Sequence, residues 1–521
     1  MDDTFTASHE VVLILDFGSQ YSHLIARRLR ECKVYCELQP YDLSADQIRK
    51  LNPKGIVLSG GPQSVYATDG LHVAEGVFDL GIPILGICYG LQEMAWSLGG
   101  HVVPGVKKEY GHMDIHITAR KHPLAQLFHG LPDTFSVWMS HGDKLAALPT
   151  GFVDVANTAN TEHAAVSHPS RWFYGLQFHP EVTHTQHGTQ ILRNFVTNVC
   201  KCRCDWSMSD FVSEAKSAIK EMVGHRVVIG AVSGGVDSTV AAVLMKEAVG
   251  DQFHGFLVDN GVMRKNEAVE VMDRLANRCG VNLQLVDASE KFLDRLTGVS
   301  EPEKKRKIIG NTFIECFEKE ASKLNADFLL QGTLYPDVIE SISHKGPSAT
   351  IKTHHNVGGL PDHMKLKLIE PLRFLFKDEV RALGLELGIE RESIFRHPFP
   401  GPGLAIRILG DITTKRLKIL QEADSIFLHE LRVHNLYNEI GQAFAVLLPV
   451  KAVGVMGDKR TYEEVITLRA VKTSDYMTAD WFDLPTPMLR KTSARIVNEV
   501  PGVNRVTYDI TSKPPGTIEW E

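Results

Sequence analysis

Short apolar runs alternate along the first two hundred residues with segments whose apolar positions recur every three or four places. Val11 to Asp16 is a continuous apolar run that predicts a buried strand, and a helical pattern follows Gly18 through Arg30. Val34 to Leu38 predicts a second strand, Ser44 to Lys50 a short helix, and Gly55 to Leu58 a third strand ending in Ser59-Gly60-Gly61-Pro62, before a helix through Leu80. Ile82 to Ile87 predicts a strand that runs into Cys88-Tyr89-Gly90 and a helix ending near Gly99-Gly100. Trp172 to Phe178 predicts another strand, closed by His179-Pro180-Glu181. Strands alternating with helices in this way predict a doubly wound parallel sheet, whose chemistry gathers at the carboxyl ends of its strands.

The pattern restarts after Val199 to Asp205, which reads as a linker. A helix over Met208 to Val223 precedes an apolar run, Arg226 to Val232, then a glycine turn and an amphipathic segment, Thr239 to Val249. Phe253 to Val258, a helix to Cys279, Leu283 to Val286, a long helix to Leu324 and Phe328 to Gln331 continue the alternation. Lys345 to Asp362 is too polar and irregular for a core element. It predicts either a mobile lid, with Lys352, His354 and His355 as phosphate contacts, or a plain surface loop. His397-Pro398-Phe399-Pro400-Gly401-Pro402-Gly403 breaks all periodicity and marks a boundary. Beyond it come a helix from Thr413 to Val433, strand-like runs at Ala443 to Met456 and Val465 to Val471, a helix from Met488 to Val500 and a strand from Arg505 to Ile510. The fold class is therefore α/β, with two doubly wound parallel-sheet domains over residues 8–202 and 203–396 and a smaller α+β domain over 397–521. Rigid prolines, an apolar pair and two carboxylates in Lys513 to Glu521 predict a docked terminus rather than a frayed tail.

Composition narrows the class. With 521 residues and 43% hydrophobic content, the chain supplies a core for each of roughly three domains of about 150 residues. A formal charge of −7 without a long Lys/Arg block argues against a nucleic-acid partner. The Met-Asp-Asp start lacks a signal pattern and no run of about 18 apolar residues occurs, so a cytosolic enzyme without a membrane partner is expected. Eight cysteines in a chain this long do not resemble a disulfide framework, and Cys200, Cys202 and Cys204, spaced by single residues, read as a linker strand rather than a zinc site.

Two stretches carry chemistry. Gly86-Ile87-Cys88-Tyr89-Gly90 has the form of a nucleophile elbow, in which glycines permit a sharp strand-to-helix turn and the helix N-terminus favours the thiolate. A buried structural cysteine is the bland alternative. His179 can take the thiol proton and return it to a leaving amine, and Glu181 can fix its tautomer. His141, His163, His168 and His184 are competing bases. Gly60 and the amide of Tyr89 offer oxyanion donors at two strand ends.

The second stretch is Ser233-Gly234-Gly235-Val236-Asp237-Ser238-Thr239, a glycine turn between strand and helix that can cradle a phosphate on backbone amides. Gly230 and Gly235 have Walker A spacing, yet Val236 and Asp237 stand where that motif requires Lys and Ser or Thr. The residues suit a nucleotide held through its pyrophosphate, with Mg²⁺ on Asp237. The cluster Glu303-Lys304-Lys305-Arg306-Lys307 reads as a solvated helix face from which a polyanionic substrate recruits one member.

The motifs Ile14-Leu15-Asp16-Phe17-Gly18-Ser19-Gln20-Tyr21, Ser59-Gly60-Gly61-Pro62, the Cys88 elbow and Phe178-His179-Pro180-Glu181 resemble a class I, triad-type glutamine amidotransferase domain over roughly residues 8 to 200. The glycine turn resembles the PP-loop of the N-type ATP pyrophosphatases. Together with Gln331 to Ser341, Ile351 to Asn356, Pro400 to Arg407 and the Lys513 to Glu521 terminus, the whole chain resembles the glutamine-hydrolysing GMP synthase family. That resemblance implies amination of xanthosine 5′-monophosphate (XMP) with ammonia from glutamine, at the expense of ATP and Mg²⁺. It implies Ser233 to Thr239 around ATP, Val258 and Asp259 near the adenine, Arg306, Lys513 and Glu519 on XMP, and a homodimer built through the last domain. The rivals are another glutamine-fed PP-loop enzyme, such as an NAD synthase or a tRNA-modifying enzyme, and a non-enzymatic glutamine sensor or scaffold, which would be expected to show a broken triad position or a damaged PP-loop, whereas both motifs are intact in this sequence.

Overall fold

The computed structural model describes residues 9–119, 125–342, 366–456, 458–473, 476 and 478–521. Contacts divide the chain into two units: described residues up to Phe211 with Tyr335–Ile342, and the remainder from Val212 onward.

The first unit opens with β1 (Val11–Asp16), α1 (Ser22–Glu31), β2 (Tyr35–Pro40), α2 (Ala45–Leu51), β3 (Gly55–Leu58), β4 (Ile84–Ile87) and α3 (Tyr89–Ser97). Val12 to Leu15 are wholly buried, as an apolar run covered on both sheet faces must be. Ser44 caps α2 in a reciprocal capping box with Gln47, which fixes where that helix starts. The helix expected before Leu80 is absent. Among the described residues of that stretch only a short 3₁₀ turn forms, at Val77–Asp79, after Gly76 at φ +83°, while Val65, Val77 and Phe78 still reach the core. Pro62, Gly70 and Gly76 interrupt the segment too often for a hydrogen-bonded helix, but its apolar side chains keep their burial.

The sheet is also larger than the parallel alternation implies. Its order is β2-β1-β3-β4-β9-β8-β7-β5-β6, where β5 is His101–Ile117, β6 Thr134–Ala147, β7 Val153–Asn157, β8 Ala165–His168 and β9 Phe173–Leu176. The strands from β2 to β9 run parallel, and those from β8 to β6 add an antiparallel extension. In β6 buried and partly exposed positions alternate over much of its length, the period of a strand with one solvated face. The helix α4 (Gly188–Asn194) follows, and the unit closes within α5 (Met208–Val223).

The second unit is built on an all-parallel sheet of order β12-β11-β10-β13-β14. Its elements are β10 (Val228–Ala231), α6 (Val236–Val249), β11 (Phe253–Asp259), α7 (Glu267–Met272) and β12 (Leu283–Asp287). The single long helix expected next is two, α8 (Ser289–Leu296) and α9 (Pro302–Ala321). Pro302 cannot continue a helix but suits a first turn, and the Glu301 carboxylate accepts from the Glu303 and Lys304 N–H groups to cap it. After β13 (Phe328–Leu330), α10 (Tyr335–Ile342) belongs with the first unit, where the Tyr335 hydroxyl accepts from the Leu38 N–H at 2.6 Å. The chain resumes with β14 (Lys367–Ile369), α11 (Lys377–Glu386) and α12 (Arg391–Ile394).

The remainder holds α13 (Thr414–Val433), β15 (Gln442–Met456), β16 (Lys459–Lys472), β17 (Asp480–Trp481), α14 (Thr486–Glu499) and β18 (Val503–Tyr508), in a sheet where β16 pairs with β15, β17 and β18. One hydrophobic cluster joins Val258, Val262 and Phe292 to Leu404, Leu420 and Phe427, so packing is continuous across the Pro-Gly-rich stretch. The terminus is docked, as its composition predicts. The fully buried Arg469 donates to the carbonyls of Thr517 and Ile518 at 2.9 and 2.8 Å.

Candidate functional site

Cys88 is the single residue between β4 and α3, at φ +52° and ψ −103°. Such a conformation is costly for a side-chain-bearing residue, and its neighbours explain how it is held. A Cβ on Gly86 would lie 2.5 Å from the Gly90 carbonyl oxygen, and one on Gly90 only 2.3 Å from that of Leu58. The elbow therefore needs glycine on both sides. Gly90→Ala is expected to cost about 1–3 kcal/mol of stability through overpacking against backbone, measurable by chemical denaturation.

His179 and Glu181 follow the end of β9, both buried, with His179 Nδ1 2.7 Å from Glu181 Oε1. The Cys88 side chain lies close enough to act on the same imidazole. Burial alone would lower the His179 pKa, but the Glu181 carboxylate and the Cys88 sulfur outweigh it and hold the imidazole well above its ordinary range. Because the folded value is the higher one, this group's contribution to stability is complete below the unfolded imidazole pKa of about 6.5 and is lost as pH rises through the folded value. For catalysis it means a proton stored at His179, ready for a leaving amine. Glu181→Gln removes the charge that stores it and is expected to lower glutamine hydrolysis by about a hundredfold or more, with little change in KM. Equal activity of the variant across the neutral pH range would refute that role.

Gly60, just beyond β3, runs close to this pair: a Cβ there would lie 3.2 Å from His179 Cε1 and 3.3 Å from Ser19 Oγ. Tyr89 is the first residue of α3, directly after the nucleophile. The competing histidines are engaged elsewhere. His141 faces Glu109 at 3.1 Å, His163 faces Asp154 at 2.6 Å, His184 packs on Trp138, and His168 lies edge-on to Phe152.

In the second unit Ser233 to Asp237 turn from β10 into α6, with Gly234 at φ +75° and Gly235 as the N-cap. The Ser238 hydroxyl accepts from the Ser233 N–H at 3.2 Å and donates to the Gly235 carbonyl at 3.1 Å, closing the loop on itself. A Cβ on Gly234 would meet Val271 Cγ2 at 2.5 Å, and Arg396 donates to the Gly234 carbonyl at 3.0 Å. Thr239 is buried one turn into the helix. Asp237 Oδ2 accepts from Lys377 Nζ at the start of α11, while its buried Oδ1 has no hydrogen-bond partner. Val258 and Asp259 end β11 on the adjacent strand, where Asp259 Oδ1 accepts from the Gly261 N–H at 2.9 Å.

The basic cluster of α9 is not a uniformly solvated face. Lys305 is wholly buried, with Nζ donating to the carbonyls of Ala405 and Ile408 and pairing with Glu521 at 2.6 Å. Arg306, next to it, donates to the Glu521 backbone oxygen at 2.7 Å. Glu519 is gripped by the fully buried Arg407 through both carboxylate oxygens, at 2.8 and 3.1 Å, and by Gln442 at 2.7 Å. Lys513 Nζ donates to the Tyr476 carbonyl at 2.8 Å. Arg306 and Glu519 thus lie with the docked terminus, and Lys513 near its start. Lys352, His354 and His355 fall outside the described residues.

Comparison with known proteins decides the family. A model of class-I glutamine amidotransferases matches residues 13–199, one of NAD synthase residues 207–311, and one of the GMP synthase C-terminal domain residues 429–520. The chain is 60% identical over 523 residues to the GMP synthase (glutamine-hydrolyzing) of Yarrowia lipolytica, covering 98% of each. It is 59% identical to that of Candida albicans, over 98% of this chain and 97% of the relative, and 57% identical to that of Saccharomyces cerevisiae over 98% of both. The chain belongs to the glutamine-hydrolysing GMP synthases.

Membership in the GMP synthase family sets aside the NAD synthase alternative, since likeness to that family's model stops at residue 311 while the relatives extend through the last domain. It also frames what the motif reading left out. Lys377, Arg407 and Gln442 lie in no phosphate or triad motif, yet they hold Asp237 and Glu519. The only local signal was Arg407 at the end of the Pro-Gly-rich stretch. No helix among the described residues is long and apolar enough to cross a membrane.

Proposed function

We propose that the chain converts XMP to GMP, drawing ammonia from glutamine at Cys88 and activating the purine with ATP at Ser233 to Thr239. The observation that carries this reading is the presence, on one chain closely related to GMP synthases, of an intact Cys88–His179–Glu181 arrangement and a lysine-less phosphate turn. The Cys88 thiolate adds to the glutamine side-chain carbonyl. The oxygen takes up the electron pair against the amides of Gly60 and Tyr89, and His179 returns its proton to the departing ammonia. Water, giving a proton to His179, then hydrolyses the γ-glutamyl thioester to glutamate and restores the thiolate. In the second unit the purine 2-oxygen attacks the α-phosphorus of ATP, pyrophosphate leaves, and ammonia replaces AMP at C2.

Backbone amides of Ser233 to Ser238 and the N-terminus of α6 would receive the phosphates. Asp237 fits a Mg²⁺ ion, because its Oδ1 is buried without a hydrogen bond and one carboxylate suffices where substrate phosphates complete the shell. Bound there, the ion would neutralise charge on the departing pyrophosphate. Arg306, Lys513 and Glu519 are assigned to XMP, and Lys352, His354 and His355 to a lid. The reading includes glutaminase, pyrophosphatase and terminal domains at residues 8–202, 203–396 and 397–521, and a cytosolic homodimer formed through the last of these. Incubating purified protein with XMP, ATP, Mg²⁺ and glutamine should yield GMP, AMP, pyrophosphate and glutamate in equal amounts. No GMP under those conditions would overturn the assignment.

A further inference from the structure

The triad leaves one contact to the reacting sulfur unexplained. Gln177 follows directly on the end of β9, two residues before the base, where the chain bends away from the strand. The Cys88 N–H donates to the Leu176 carbonyl at 2.7 Å, which sets the elbow directly beside this segment. Gln177 is wholly buried, and its Nε2 lies 3.8 Å from Cys88 Sγ.

Which end of the amide faces the sulfur follows from chemistry. The Asp143 backbone carbonyl can only accept, and the Gln92 side chain reaches it at 3.1 Å, so Gln92 presents its NH₂ group there. The same NH₂ lies 3.4 Å from the Gln177 side chain, which must therefore turn its oxygen toward Gln92. Its own NH₂ is left pointing at Sγ. A backbone carbonyl thus polarises two buried amides in series and aims an N–H at the nucleophile. If the pair served packing alone, its last N–H would end on an oxygen acceptor, as buried donors ordinarily do. The Ser140 carbonyl, 3.7 Å from Sγ, suits the thiol and repels a thiolate.

Resting on the glutaminase reading above, we propose that Gln177 is a further catalytic residue of glutamine hydrolysis, its carboxamide N–H holding negative charge on Cys88 Sγ, with Gln92 as the residue that orients it. Sulfur carries that charge twice in a turnover. It does so before attack, when the S–C bond has yet to form, and again when the tetrahedral intermediate of thioester hydrolysis breaks that bond and the pair returns to sulfur. Gln177 therefore assists both the nucleophile and the leaving group, and it is idle in the neutral thioester between them.

The test uses Gln177→Met, which keeps side-chain length and removes the donor, in the full-length protein with near-ultraviolet circular dichroism as the folding check. Expected results are a tenfold to hundredfold loss in kcat for glutamine hydrolysis with KM within about twofold, and a similar loss in the rate at which iodoacetamide alkylates Cys88. A third is γ-glutamyl thioester at Cys88 in acid-quenched samples by mass spectrometry, since the leaving sulfur has lost its donor. Gln92→Met should show the same split at smaller amplitude. If Gln177→Met does not fold, Gln177→Glu, which keeps the shape and the acceptor toward Gln92 but turns an oxygen to the sulfur, carries the test with a larger expected loss. Unchanged kcat and alkylation, or a rise in KM alone, would overturn the proposal while leaving the glutaminase assignment standing. Failure of the parent protein to hydrolyse glutamine would instead remove the reading beneath it.

Discussion

Cys88→Ala is expected to abolish GMP formation from glutamine, by at least about a thousandfold, while synthesis from added ammonium salt continues. The loss follows from chemistry that no neighbour can replace. The thiol is the only nucleophile at the elbow, and without sulfur no thioester forms, whatever His179 and Glu181 still do. Survival with ammonia follows from the separate residues of the second site: Ser233 to Asp237, Lys377 and the docked terminus all lie within the other unit. The measurement is initial GMP formation with glutamine and with ammonium chloride, side by side. Equal loss with both nitrogen sources would show that the two chemistries are not divided as proposed.

The second large effect is at Asp237. Asp237→Ala should reduce AMP and pyrophosphate release by about a hundredfold or more with either nitrogen source, because the step it serves precedes the arrival of ammonia. Asp237→Asn separates charge from shape. It keeps the side chain's volume, and it should raise the Mg²⁺ concentration needed for half-maximal pyrophosphate release. In both variants Lys377 loses the carboxylate it now pairs with, so an added loss in Lys377→Met is a check on whether that lysine contributes beyond holding Asp237. Normal turnover of Asp237→Ala would place the metal elsewhere.

Much of this was legible in the residues. The strand-turn-helix around Cys88 could be read because its glycines answer a local steric demand, met within five positions of chain. The same holds for Ser233 to Ser238, whose hydroxyls satisfy their own turn. The antiparallel strands β5 to β8 were not legible. The pairing of β5 with β7 joins segments separated by the whole of β6, and the half-solvated β6 carries a weaker signal than the buried runs of the parallel sheet. The helix expected before Leu80 failed for the opposite reason: apolar spacing alone suggested it, and glycine and proline outvoted the spacing.

By itself the sequence determined the two chemistry-bearing turns in outline and the alternation that builds their sheets, because each rests on neighbours in the chain. Only the tertiary structure decided which distant groups meet. It brought His179 to Cys88, turned the Gln177 amide onto the sulfur, buried Lys305 against Glu521 and gripped Glu519 with Arg407. It also set Lys377 of α11 on the carboxylate of Asp237. Such pairings are set by how elements pack and by the need of each buried charge for a partner, and neither leaves a mark on local spacing.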